Sequence, residues 1–166
     1  MTDSVIAETF QEGTAALAAA RNAVAGGNLE AATSILASAL EVETNAAYYV
    51  HLRLNLAAAL CQSAQGANDD ATAVSYLDRA IALLGKSLPR ETRGTRTWAL
   101  AKANLALALL SRATRSGRRD DVMRAHLSLD SAEAVFAAEA DAATLNWVRT
   151  IRSHLVALHD RRGQPL

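Results

Sequence analysis

Apolar and polar residues alternate along this chain with helical spacing, segment after segment. Ile6, Phe10, Leu17 and Val24 mark a first stripe over roughly residues 4–25, interrupted at Gly13. After the turn residues Gly26-Gly27-Asn28, a second stripe (Ala32, Leu36, Ala39, Leu40) follows the i, i+4, i+7, i+8 rule of a helix with one buried face. Leu52, Leu56, Leu60 and Ser63 predict a third helix over about 46–65, and Ala73, Leu77, Ala80, Ile81 and Leu84 a fourth that stops before Pro89. Asn68-Asp69-Asp70 supplies capping residues for that fourth helix. The linker Pro89–Arg96 leads into a fifth helix over about 92–115. A sixth aligns Val122, Ala125, Leu129, Ala132 and Phe136, and a seventh, over 141–161, aligns Val148, Ile151, Leu155 and Leu158.

These segments also repeat. Tyr49-Val50-His51-Leu52-Arg53-Leu54-Asn55-Leu56-Ala57 returns 49 positions later as Trp98-Ala99-Leu100-Ala101-Lys102-Ala103-Asn104-Leu105-Ala106. A second phrase recurs behind it, as Leu36-Ala37-Ser38-Ala39-Leu40, Leu77-Asp78-Arg79-Ala80-Ile81 and Leu129-Asp130-Ser131-Ala132-Glu133. Two helix signatures alternating in a fixed order imply tandem helical hairpins, because a lone hairpin cannot bury its apolar face. The expected fold is all-α in a single domain over 1–166, with hairpins at about 4–43, 46–88 and 92–138 and a capping helix at 141–161. The turn and second-helix pattern Gly27-Asn28-Leu29-Glu30-Ala31-Ala32…Leu36…Ala39-Leu40, with the Asn-Leu-Ala elements at 55–57 and 104–106, resembles the tetratricopeptide repeat family. The resemblance implies a right-handed stack of the three antiparallel hairpins. Spacings of 49 to 52 residues would make it a long-unit variant of the family's ~34-residue repeat.

Composition agrees with the helical reading. Apolar residues are 51% of the 166 but aromatic ones only 4%, so alanine, the strongest helix former, carries much of the total. Net charge is zero but unevenly spread: residues 1–50 hold one basic side chain against six acidic, and the remainder is basic. This asymmetry admits weak head-to-tail homo-oligomers or simply solvated outer faces. The single Cys61 forbids an intramolecular disulfide and fits a reducing compartment. The N-terminus lacks a basic region followed by an apolar stretch, and no uncharged run reaches the ~20 residues of a membrane span. A cytoplasmic protein is expected.

For function, the resemblance implies protein binding along an inner groove lined by the first helix of each hairpin. Asn55 and Asn104 match the family position whose amide contacts a bound peptide's backbone, and an amide offers both donor and acceptor for that purpose. Hydrogen bonding within or between helices is the competing role for both. His51, Arg53 and Lys102, with Arg149 and Arg152 on the last helix, would bias such a groove toward acidic partners. Trp98 and Trp147, again 49 apart, are expected in packing between hairpins.

Arg112, Arg115, Arg118, Arg119 and Arg124 form the densest basic cluster and define an alternative, nucleic-acid binding. Asp120 and Asp121 lie inside that cluster and no aromatic residue interleaves to stack bases, so nucleic acid is disfavoured. Catalysis is not expected. His154 and His159 point about 140° apart on a helix, His126 stands alone on its helix, and no glycine-rich phosphate loop, metal array or nucleophile motif occurs. No metal or cofactor is implied, and the expectation is a noncatalytic scaffold that takes a partner peptide or helix.

Overall fold

The computed structural model describes residues 15–42, 46–87 and 92–163. Those residues form seven α-helices and no strand: α1 (Ala15–Ala25), α2 (Leu29–Val42), α3 (Ala46–Gly66), α4 (Asp70–Ser87), α5 (Arg96–Ser116), α6 (Arg119–Ala138) and α7 (Ala142–Gly163). None of them is long and apolar enough to cross a membrane. The expected helical content is present throughout; the stripe residues Ile6 and Phe10 and the Gly13 break lie outside the described residues.

Several helix starts have a physical cause in the sequence. Asn28 opens α2 by accepting the Ala31 amide at Oδ1 (3.0 Å), and Asp69 opens α4 by accepting the Thr72 amide (2.8 Å) and hydroxyl (2.8 Å). Side-chain caps of this kind satisfy amides that have no partner within the helix. The fifth helix begins four residues later than its pattern suggests. Gly94, at φ 84°, turns the backbone, and Thr95 takes the cap position with its hydroxyl accepting the Trp98 amide at 3.3 Å. The sixth begins at Arg119, placing Asp120 and Asp121 in its first turn, where negative charge suits the helix dipole.

The chain divides into two compact units, Met1–Ser87 and Leu88–Leu166. In the first, α1 packs on α2, α2 on α3 and α3 on α4, with α1 also touching α3. In the second, α5 packs on α6, α6 on α7, and α7 returns to α5. The outer helices keep the predicted one-sided stripes: Ala73, Leu77, Ala80, Ile81 and Leu84 on α4, Val122, Ala125, Leu129, Ala132 and Phe136 on α6, and Val148, Ile151, Leu155 and Leu158 on α7 are all buried.

The central helices do not keep a single stripe. Every residue from Leu52 to Cys61 of α3 is buried, and α5 is buried nearly as continuously from Ala101 to Ala106. Within their own units α3 touches α1, α2 and α4, and α5 touches α6 and α7, and their many alanines let those neighbours come close. Burial on all sides overrides the stripe and carries polar side chains inward with it.

One buried polar contact fastens the second unit at its turn. Arg112 of α5 donates from Nε and Nη2 to the two carboxylate oxygens of Asp121 on α6, at 2.8 and 2.7 Å. Their side chains are 9% and 3% exposed. Between them Gly117, at φ 74°, ends α5 in the left-handed region with its amide on the Ala113 carbonyl. Two turns of the chain adopt the same six-residue closing motif. Asn28 N donates to Ala23 O and Gly27 N to Val24 O; likewise Asp141 N donates to Phe136 O and Ala140 N to Ala137 O. The left-handed residue is Gly27 in the first case (φ 75°) and Ala140 in the second (φ 56°).

Candidate functional site

The repeated phrase takes the same local register in both units. On α3, Tyr49 and Arg53 are one turn apart. The Arg53 guanidinium lies 4.2 Å from the Tyr49 ring centroid, and its Nη2 donates to the phenolic oxygen at 2.6 Å. On α5 the equivalent pair is Trp98 and Lys102, with the ammonium 5.5 Å from the indole centroid. A cation over an aromatic face is held by the ring's quadrupole, about 0.5–2 kcal/mol depending on solvent access. The aromatic-to-cation spacing of four was already visible in the repeated phrase; its side-chain contact was not.

The environments of the two cations differ. Arg53 is buried, and its Nε meets no hydrogen-bond partner among the described residues. Lys102 and Trp98 are half-buried, so α5 keeps its cation near solvent.

Asn55 and Asn104, two positions beyond each cation, are both buried, at 0% and 8% exposed. The Asn55 amide nitrogen donates to the His51 carbonyl at 2.7 Å, a bond within its own helix. His51 itself is half-buried.

Arg149 and Arg152 of α7 are engaged with α6. Arg152 donates from Nε to Glu133 (2.9 Å) and from Nη2 to Asp130 (2.7 Å), while Arg149, largely exposed, lies 3.6 Å from Glu133. Glu133, which interrupts the apolar phrase Leu129-Asp130-Ser131-Ala132-Glu133, is thereby accounted for as the acceptor that ties α7 to α6. Arg96 plays the matching part at the α6–α7 turn, pairing with Asp141 and, at 3.4 Å, with Glu139. Asp141 also accepts the Thr144 amide at 3.0 Å, and these donors pull its carboxyl down to about 2, the Thr144 amide first and the Arg96 guanidinium next.

The basic cluster around the α5–α6 turn separates into different environments. Arg112 is withdrawn into its buried pair with Asp121, and Arg124 lies 3.6 Å from the same carboxylate. Arg118 and Arg119 are exposed and Arg115 is half-buried. Sequence reasoning grouped all five by proximity and missed the buried pair. The signal available was an Arg nine residues before an Asp, straddling a Gly turn between two helices.

Among the described residues no group of three or more His, Cys, Asp or Glu is placed to hold a metal ion. His126 is held below its ordinary pKa, chiefly by burial and then by the nearby Arg152 cation. His154 is exposed, and His159 lies 3.5 Å from Asp160. Cys61 is buried, and burial pushes its thiol up to about 12. Trp147 is half-buried like Trp98. Comparison of the chain with protein-family models, with curated proteins and with solved structures finds no match.

Proposed function

We propose that this protein is a noncatalytic interaction scaffold of the tetratricopeptide type, whose helical hairpins take a peptide segment or helix of another protein. The observation that carries this reading is the shared register of the two phrases: aromatic, cation four residues on, and asparagine two further, on α3 of one unit and α5 of the other. Tandem repeats build one local structure more than once, and the aromatic–cation contact recurs in both copies.

Within that reading, Lys102 over Trp98 offers a contact both apolar and cationic, suited to an acidic partner. Arg149 adds positive charge, moderated by Glu133, and Arg152 is already committed to Asp130 and Glu133. Arg53 and the asparagines act from beneath the surface, fixing the shape of the helices that meet the partner. Withdrawal of Arg112 into its pair with Asp121 weakens the nucleic-acid alternative.

Affinity capture from a native lysate with the full chain tests the proposal. Lys102→Glu combined with Arg149→Glu should lose the captured partner while retaining wild-type helicity by circular dichroism. Equal recovery of the same partner by the charge-reversed variant would remove this assignment.

A further inference from the structure

A ladder of titratable side chains runs along the seam between α6 and α7. His126, Asp130 and Glu133 stand at i, i+4 and i+7 on one face of α6. The antiparallel α7 answers with Arg149, Arg152 and His159 in reverse order. Arg149 lies 3.6 Å from Glu133, and Arg152 bridges Glu133 and Asp130, each at 2.7 Å. His126 takes the remaining rung, half-buried, at the end where α7 brings up His159.

The surroundings of His126 disfavour a further cation. Asp130, one turn on, is the carboxylate that would receive a protonated His126, and Arg152 already holds it. From α7, His126 faces Arg152 and His159, the latter 3.5 Å from Asp160. The other helix packed on α6 is α5, which carries no charged side chain between Lys102 and Arg112, and Arg112 is held by Asp121. On α6 itself, Arg119 stands two turns back on the same face. Burial and then Arg152 hold His126 below its ordinary 6.5; Asp130 offsets part of this and His159 adds to it. As pH falls, the closed seam therefore takes up the proton later than the exposed imidazole of a loosened one. Its stability is complete above about pH 7 and declines below the ordinary value.

We propose that this end of the α6–α7 seam is a proton-sensitive latch: charging His126 beside Arg152 and His159 loosens the last turns of α7, while the Glu133 end stays paired. Leu155 and Leu158 are buried in the closed seam. Loosening those turns bares them, so acid exposes an apolar face that neutral pH hides. Asp141, whose carboxyl changes charge only near pH 2, does not enter this window. The latch is independent of the scaffold reading and would survive its failure.

Amide hydrogen exchange of the full chain tests it, read by NMR at about pH 7.5 and about pH 5.5 and corrected for the intrinsic rate at each. Protection over residues 154–160 should fall about two- to fivefold at the lower pH, the change that partly exposed like charges produce. Residues 145–152 should stay level. His126→Gln, neutral at both pH values, should keep its protection in acid. In the wild-type chain the His126 ring should titrate below 6.5. Protection unchanged between the two pH values, a loss spread evenly along α7, the wild-type pH dependence in His126→Gln, or a ring titrating at or above 6.5 would overturn the proposal.

Discussion

Replacing Asp121 by Ala strands the Arg112 guanidinium in the interior of the second unit. Two charge-assisted hydrogen bonds are lost, at 2.8 and 2.7 Å, each of a class worth about 1.5–3 kcal/mol. Arg112 is left buried without its carboxylate, and breaking one side of a buried pair typically costs about 3–5 kcal/mol. The nearby Arg124 contact, at 3.6 Å from a half-exposed side chain, adds under about 1 kcal/mol. Asp121→Ala should therefore destabilise the Leu88–Leu166 unit by about 3–5 kcal/mol. Arg112→Met with Asp121→Leu, which removes both charges together, should cost far less. Urea unfolding followed by circular dichroism at 222 nm, run as a double-mutant cycle, measures the difference. Should unfolding show two transitions, the loss belongs to the one that reports the second unit. A single-mutant cost below about 1 kcal/mol, or a coupling energy near zero, would refute the claim that this pair fastens α5 to α6.

Other outcomes follow from the same geometry. Ala140 holds the left-handed position that Gly27 fills in the matching turn, so Ala140→Gly should stabilise the protein by about 0.5–1 kcal/mol and Gly27→Ala should destabilise it by a similar amount, read as shifts in urea midpoint. The Asp141 carboxyl titrates near 2 when folded against about 3.8 ordinarily. A depressed folded value means that the unfolded chain takes up the proton first, so the contribution is complete above about pH 5 and disappears as pH falls from about 4 to 2. Asp141→Asn should thus cost about 1–2 kcal/mol at pH 7 and almost nothing at pH 2; a difference independent of pH would contradict the Thr144 and Arg96 contacts as its cause. Cys61, with its thiol pushed up to about 12, should resist thiol reagents at pH 8 in the folded protein and react at once in denaturant. Rapid labelling of native protein would contradict its burial.

The sequence by itself determined the elements. Stripes such as Leu77, Ala80, Ile81 and Leu84 reveal a helix because burial on one face repeats every 3.6 residues, and local groups such as Asp69 and Asn28 mark helix starts because a cap acts within three residues. The repeated phrase likewise held the aromatic–cation spacing before any coordinate did. Tertiary structure decided what the polar residues inside that phrase do. Arg53, Asn55 and Asn104 read as surface groups by residue type, yet they are buried on alanine-rich helices that neighbouring helices approach closely. Arg112 reads as one of five cations around a turn, and only the approach of α6 to α5 shows that Asp121 claims it. Periodicity records how much of a helix is covered by an average neighbour, whereas the choice of partner depends on distances between segments remote in sequence, which no local pattern encodes.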